Sequence, residues 1–206
     1  MSFDPENVAV LTGDIVKSGG LGLPEREVLF AALKAGAETI AQMQDSPTHF
    51  ERFSGDSWQL LLLHPKLALR ACLLLRAYIR QDSKTFETRI SVGAGAIEPL
   101  SPEGLGASDG PAFQASGRGL RALPAGRCFT INSRHNPAFV LADHISQGWS
   151  QKQAAVLTKS LQFAPPSQQA IARTLKISQQ AVAKRLKSSG YMALAAALED
   201  IENNNL

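Results

Sequence analysis

Phe50-Glu51-Arg52-Phe53-Ser54-Gly55-Asp56-Ser57-Trp58 reads as strand, tight turn and strand, with one carboxylate at the tip. Phe50 and Phe53 supply the large side chains that strands favour. Ser54-Gly55-Asp56 is turn chemistry, because Gly accepts positive φ and Asp bonds its own backbone. Trp58 to Leu63 is a nearly continuous apolar run, the pattern of a central strand. A turn carboxylate is by default a solvated one. Asp56 gains weight from a second Gly-Asp pair, Gly13-Asp14, which stands where the run Val8-Ala9-Val10-Leu11-Thr12 ends.

Outward from the hairpin, the pattern alternates strand and helix. Val8 to Thr12 predicts a first strand, followed by the Gly-rich loop Lys17-Ser18-Gly19-Gly20-Leu21-Gly22. Pro24-Glu25 suits a helix start, and Leu29, Leu33, Ile40 and Met43 share one face before Pro47 ends the helix. The hairpin arms fall near 48–54 and 57–63. Pro65 opens a second helix with Leu67, Ala71, Leu74, Leu75, Tyr78 and Ile79 inside and Arg70, Arg76 and Arg80 outside. Thr88, Ile90, Val92 and Ala94 alternate with Arg89, Ser91 and Gly93, which predicts a half-buried strand. The order β-α-β-β-α-β is the ferredoxin-like arrangement of an α+β fold. There the first and third strands are antiparallel neighbours, so Asp14 and Asp56 come together. Two such carboxylates repel unless a cation sits between them, and hard oxygen ligands suit Mg²⁺ or Mn²⁺. The Gly-rich loop offers N–H groups to phosphates, and Lys17 a point charge. A plain flexible connector is the alternative for the loop taken alone.

Gly93 to Gly110 reads as loop. Pro111 to Leu123 predicts a helix with Gln114 and Arg118 four apart on one face, a spacing a solvated face also shows. Cys128 to Ile131 predicts a short strand, Asn136 to Ser146 a helix, and Gly148 a junction between a domain of residues 1–148 and one of 149–206.

Composition bounds what this chain does. An apolar fraction of 44% supports a real core, and no run approaches the ~18 apolar residues of a membrane span. The acidic start Met1-Ser2-Phe3-Asp4-Pro5-Glu6 is unlike a signal peptide. Cys72 and Cys128 have no metal-ligand spacing and read as reduced core thiols of a cytoplasmic protein. His49, His64, His135 and His144 are scattered and suggest no ligand set. Residues 1–150 carry 14 Lys and Arg against 15 acids, and residues 151–206 carry 7 against 3, so the net +3 charge resides in the C-terminal segment. That asymmetry points to nucleic acid as the partner there.

Residues 150–163 predict a helix and Pro165-Pro166 breaks it. Ser167 caps Gln168 to Leu175, Lys176-Ile177 is a turn, and Ser178 caps Gln179 to Lys187. Ile171, Ala172, Leu175, Ile177, Val182 and Leu186 fit the core of a helix-turn-helix. Its second helix exposes Gln179, Gln180, Lys184, Arg185 and Lys187, residue types that read adenine, guanine and phosphate in double-stranded DNA. A basic helical hairpin packed on the protein's own body is the alternative. Tyr191 to Ile201 predicts a closing helix, and Asn203-Asn204-Asn205 a frayed tail.

Four ordered blocks carry a resemblance: Gly13-Asp14-Ile15-Val16, Arg52-Phe53-Ser54-Gly55-Asp56, Arg89-Ile90-Ser91-Val92-Gly93, and Gly110-Pro111-Ala112-Phe113-Gln114-Ala115-Ser116-Gly117-Arg118-Gly119-Leu120. Over roughly residues 7–147 they resemble class III nucleotide cyclase domains, and the chain with its helix-turn-helix is similar to the SatD family of bacterial proteins. The resemblance implies Asp14 and Asp56 as metal carboxylates and a backbone carbonyl from Ile15. It implies Arg52 where purine cyclases keep a base-selecting Lys, Gln114 where an Asn orients the ribose, and Arg118 as the Arg that stabilises phosphate charge. It also implies a homodimer with sites between protomers. Three positions depart from it. Arg52 is a planar fork in place of a point charge, Gln114 moves an amide by one methylene, and Ala107 stands where a second base-selecting Asp is common.

Two functions follow as expectations. One is a cytoplasmic DNA-binding transcription regulator whose cyclase-like domain dimerises and binds a purine nucleotide with Mg²⁺. The other is an active nucleotide cyclase, with Gln114 and Arg118 as catalytic residues.

Overall fold

The computed structural model describes residues 4–204. Residues 1–3 and 205–206 lie outside them, and with them the readings made of Met1 to Phe3 and of Asn205. One five-stranded mixed sheet is built from β1 (Val8–Ile15), β2 (Phe50–Ser54), β3 (Ser57–Leu62), β4 (Thr88–Gly95) and β5 (Phe129–Ile131). The strand order is β2-β3-β1-β4-β5. β1 runs antiparallel to both neighbours, and β5 joins β4 in parallel. With α1 (Leu23–Met43) and α2 (Ala68–Asp82), the first four strands follow the β-α-β-β-α-β order. α1 starts where Glu25 accepts the Gly22 N–H at 2.8 Å. It ends where Asp45, at φ 49°, turns the chain left-handed, so that the Ser46 and Asp45 N–H groups reach back to the Ala41 and Gln42 carbonyls.

α1 and α2 cover one face of the sheet with the main apolar core, in which Leu11, Leu33, Trp58, Leu74 and Val92 are fully buried. Trp58 holds three strands together. It stands opposite Gly13 of β1 and its indole N–H donates to Thr88 Oγ1 of β4 at 3.0 Å. Gly13 is there because any Cβ would lie 2.3 Å from the indole ring and 2.7 Å from the Arg89 carbonyl.

The opposite face is covered by α3 (Pro111–Arg121). A Cβ on Gly93 would meet the Ala112 carbonyl at 2.0 Å, so glycine is what lets α3 lie directly on β4. Thr12 and Ser116 hydroxyls bond across this contact at 2.8 Å, and Val8, Val10, Leu61, Ile97, Leu105, Ala112 and Phe113 form a second, smaller core. β4 is therefore buried on both faces, not half-buried as its alternation suggested: Ser91 and Gly93 are as enclosed as Ile90 and Val92.

α2 corrects a second expectation. Arg76 and Arg80 do not face solvent. The Arg76 side chain is 0% exposed, and its Nε donates to Glu87 at 3.0 Å. Its Nη1 donates to the Asp143 carbonyl at 3.1 Å and to Ser146 Oγ at 2.5 Å. Nη2 lies 2.8 Å from Asp143 Oδ1, close enough for an ion pair but off hydrogen-bond geometry. Arg80 donates to the other Glu87 oxygen at 2.5 Å. The acids arrive from the start of β4 and from α4 (Asn136–Gln147), beyond the reach of any helical wheel. Removing one member of such a set costs about 3–5 kcal/mol, because a charge is left buried without its partner.

Four helices follow: α5 (Gln151–Ser160), α6 (Gln168–Thr174), α7 (Gln179–Ser188) and α8 (Tyr191–Asn204). α8 continues to Asn204, past the residue where fraying was expected. Ser167 and Ser178 cap α6 and α7 by accepting the Ala170 and Ala181 N–H groups. Leu157, Leu161, Ile171, Val182, Leu186, Leu194 and Leu198 belong to the same core cluster as α2. Arg70 donates to both Glu202 oxygens, at 2.6 and 2.8 Å, and to the Leu161 carbonyl at 2.8 Å. Among the described residues no helix is long and apolar enough to cross a membrane.

Two predictions follow from these contacts. Gly13→Ala should lower stability by about 3 kcal/mol through overpacking at the indole, read by urea unfolding, with a shift in tryptophan emission. Cys72 and Cys128 are both free and buried. Burial pushes the Cys72 thiol far up and the Cys128 thiol up to about 12. The native protein should therefore resist thiol reagents until it unfolds. The stability from keeping both thiols neutral is complete below the unfolded thiol pKa of about 8.5. It declines as the pH rises toward the folded values, which a series of unfolding curves from pH 7 to 10 would show.

Candidate functional site

The end of β1 carries the site. Asp14 stands opposite Ser57 of β3 on one side and Arg89 of β4 on the other. The Ile15 N–H donates to the Asp56 carbonyl at 3.1 Å, so the two aspartates sit on adjacent strand ends as the strand order requires. Thr12, two residues before Asp14, bonds Ser116 of α3, and alternation puts Asp14 on that same sheet face.

Neither carboxylate is free. Arg89 forks onto Asp14, with Nε at 2.8 Å from Oδ1 and Nη2 on Oδ2. These hydrogen bonds push the Arg89 pKa above its ordinary value, and the charges of Asp14 and Asp56 add to the rise. The pair is only partly covered, with side-chain exposures of 40% for Arg89 and 18% for Asp14. Asp56 Oδ2 accepts the Ser18 hydroxyl at 2.5 Å. Sequence reading missed Arg89 as part of the site. Its signal was present, as a charge in phase with Asp14 on a neighbouring strand, but the phase is visible only once the register is known.

A buried chain of bonds fixes the backbone beneath the site. Thr88 Oγ1 donates to the Asp14 carbonyl at 2.7 Å while accepting the Trp58 indole. Glu87 Oε1 accepts the Thr88 N–H at 3.1 Å and the Arg76 guanidinium. The Val16 N–H returns to the Glu87 carbonyl at 3.0 Å.

The other expected residues lie apart. Arg52 stands opposite Trp58, which puts it on the α1–α2 face, away from Asp14. There its guanidinium stacks on Phe30 at 4.0 Å and pairs with Glu27 at 2.9 Å. Gln114 and Arg118 are exposed on the outer side of α3, and Gln114 bonds Asp109 at 3.1 Å. Within one chain no hydrogen bond or ion pair joins either of them to Asp14 or Asp56. Ala107 ends a short turn, Leu105–Ala107, whose Leu105 and Gly106 N–H groups bind the Glu51 carboxylate. Lys17 is exposed in a left-handed conformation at φ 56°. The Gly20, Leu21 and Gly22 N–H groups are already bonded within the loop, to Lys17, Ser18 and Glu25, so the loop has fewer donors for a phosphate than its glycines suggested.

Two aspartates on adjacent strand ends fit a hard divalent cation in kind. Among the described residues no group of three or more His, Cys, Asp or Glu side chains forms. The fit therefore holds where phosphate and water oxygens complete the shell, as is usual for Mg²⁺.

The C-terminal helices offer a second surface. Gln179, Gln180, Lys184 and Lys187 are exposed on α7, Arg185 is half-covered, and Val182 and Leu186 face the core. The turn before α7 closes with Lys176 at φ 53°, the Ile177 N–H on the Ala172 carbonyl and the Lys176 N–H on the Arg173 carbonyl. No ion pair among the described residues uses Lys176, Lys184, Arg185 or Lys187.

No protein-family model and no curated protein matches the chain. Among solved structures it is similar to the catalytic core of a rhodopsin-guanylyl cyclase with converted specificity in complex with ATPαS, at 18% identity and a TM-score of 0.46, over 61% of this chain and 77% of that one.

Thr88→Val should cost about 1–3 kcal/mol, since it strands the buried Trp58 indole N–H. Thr88→Ser should restore most of it in the same urea titration.

Proposed function

We propose that this protein is a DNA-binding transcription regulator of the cytoplasm. Its α+β part, residues 1–148, dimerises and binds a purine nucleotide with Mg²⁺ or Mn²⁺, and residues 149–206 form a helix-turn-helix. The observation that carries the reading is the unpaired basic face of α7. Among the described residues, four lysines and arginines in or beside α7 have no acidic partner. The helix itself contains no acid, and Gln179 and Gln180 stand at its N-terminal end, where such helices meet base edges. Two free, buried thiols suit a reducing compartment.

The nucleotide part rests on Asp14, Asp56 and Arg89. A bound divalent cation would neutralise phosphate charge there. Asp14 and Asp56 would hold it, with the Ile15 carbonyl as a further oxygen, and Arg89 and Lys17 would face the phosphates. Gln114 and Arg118, exposed on α3, would reach the site of a partner protomer and not their own. Arg52, turned toward Phe30 and Glu27, needs a new rotamer before it could read a base.

An active nucleotide cyclase is the second reading, favoured by the survival of both aspartates and of Arg118. Its test is ATP or GTP with Mn²⁺ and chromatography for a cyclic nucleotide.

The regulator reading is tested by a gel-shift titration of the full chain on its own upstream DNA at several salt concentrations. The expected result is binding that weakens steeply with salt and falls about tenfold or more in the Lys184→Ala, Lys187→Ala double variant, with a shallower salt slope. Absence of any salt-dependent shift would sink the DNA part. Calorimetry with ATP and GTP in Mg²⁺ tests the nucleotide part, which stands if Asp56→Ala abolishes a binding that the wild type shows.

A further inference from the structure

The charge of the chain changes character after Asp109. Residues 110–198 hold eleven Lys and Arg and a single acid, Asp143. Asp143 is 1% exposed, and its carboxylate is taken by Arg76, the Cys128 N–H and Gln147, so it offers nothing to the surface. The acid-poor stretch therefore starts inside the α+β part, at α3, and not at the junction near residue 148. Arg118, Arg121, Arg127 and Arg134 lie before that junction, and no acid among the described residues pairs with any of them. The dipole of α3 favours Arg121 in its last turn, but it does not account for the lack of any acid to answer it. Uncompensated like charges repel one another, and a bound polyanion relieves that repulsion.

Packing joins two of these arginines to α7. At the end of α4, Gln147 Nε2 donates to the Gly126 carbonyl at 3.1 Å, next to Arg127. Ile145, two residues earlier and so on the opposite flank of the helix, lies 2.7 Å from where a Cβ on Gly190 would stand. The Trp149 indole donates to the Ser189 carbonyl at 2.8 Å. The end of α7 and the loop 122–128 thus flank one helix, about 10 Å across, with His144 and Gly148 exposed between them. Lys187 is exposed at one border and Arg121 at the other. Arg127 is half-buried, and its Nε is enclosed without a hydrogen-bond partner. Arg134 follows the far end of β5 and stands outside this row.

We propose, resting on the regulator reading above, that the DNA-binding surface continues from α7 across the end of α4 onto Arg121 and Arg127. These two arginines hold backbone phosphates of the same double-stranded DNA. One helix width corresponds to about three base pairs beyond those that α7 reads. Such contacts add affinity and fix orientation without reading bases, so the α+β part grips the duplex that the helix-turn-helix reads.

The test uses the full chain on a duplex of its own upstream region, by gel shift across salt concentrations and by hydroxyl-radical footprinting. The Arg121→Ala, Arg127→Ala double variant should bind about tenfold more weakly, with a salt slope shallower by about two. Its footprint should lose one flank and keep the centre. Arg121→Lys with Arg127→Lys keeps both charges and should retain the full slope and footprint, which separates charge from folding. On a duplex cut back to the central protected segment, the alanine variant and wild type should bind alike. An alanine variant with wild-type affinity, slope and footprint on the long duplex would overturn the proposal. So would a loss that the short duplex shows equally, or one that the lysine variant does not restore. Absence of salt-dependent binding by wild type would remove the regulator reading and this surface with it. Binding that Lys184→Ala, Lys187→Ala weakens and the arginine variants leave intact would uphold the regulator and overturn the extension.

Discussion

The indole of Trp58 reaches across β1 to Thr88, and much of the molecule depends on that reach. It begins on β3, passes over Gly13 where no side chain can stand, and ends on a hydroxyl of β4 that itself holds the Asp14 carbonyl. One ring thus fixes the mutual register of three strands at the end where the charges are. Register matters more here than elsewhere, because a slip of one residue would turn Asp14 and Arg89 to opposite faces. The apolar burial of the ring contributes on the order of 2–3 kcal/mol. What it adds beyond that is position.

Charge is then arranged around this frame in two ways. Deep in the core, Arg76 is shut away from water, and Glu87 at the entry of β4 and Asp143 and Ser146 on α4 hold it. Such a set contributes little net stability over an apolar one, but it is costly to break, so it pins α2, α4 and the entry of β4 to one arrangement. At the strand end, Arg89 and Asp14 meet the same requirement in partial contact with solvent, where the cost of exchanging partners is small. The first set serves shape, and under the proposed reading the second pair serves binding. Their difference in burial, 0% for Arg76 against 40% for Arg89, is what separates the two roles.

Those differences explain what was legible in the chain. Ser167 and Ser178 before α6 and α7, Pro24 in the first turn of α1, and the β-type run Val8 to Thr12 in β1 are local signals, and the elements follow them closely. The neighbouring ends of Asp14 and Asp56 follow from strand order alone. Arg89 was opaque because it looks like one polar step of an alternating strand, and only pairing of β4 with β1 gives it a partner 75 residues away. The cover on Ser91 and Gly93 was opaque for a related reason: polar and small residues signal exposure locally, yet here they make room for α3. Arg52 shows the limit of spacing. It stands four residues before Asp56, but the ladder is irregular between Arg52 and Ser54, so spacing along the hairpin does not tell which face a side chain takes.

The C-terminal helices bear on the proposed regulator through how firmly they are mounted. A DNA-reading module on a loose tether leaves the distance between two recognition helices to chance. Here the Arg70–Glu202 pair is largely enclosed, at 13% exposure on each side. The Trp149 indole binds the Ser189 carbonyl beyond the end of α7 at 2.8 Å, and the Tyr191 hydroxyl binds the Ser160 carbonyl at 2.8 Å. α5 packs on α2 within the shared core. Under the proposed reading, the dimer formed by the α+β part would then set the separation and angle of the two α7 helices directly, with no hinge between. Half-site spacing would be a property of the sheet domain's interface. A ligand that altered that interface would change DNA affinity through geometry alone, without touching a residue of α7.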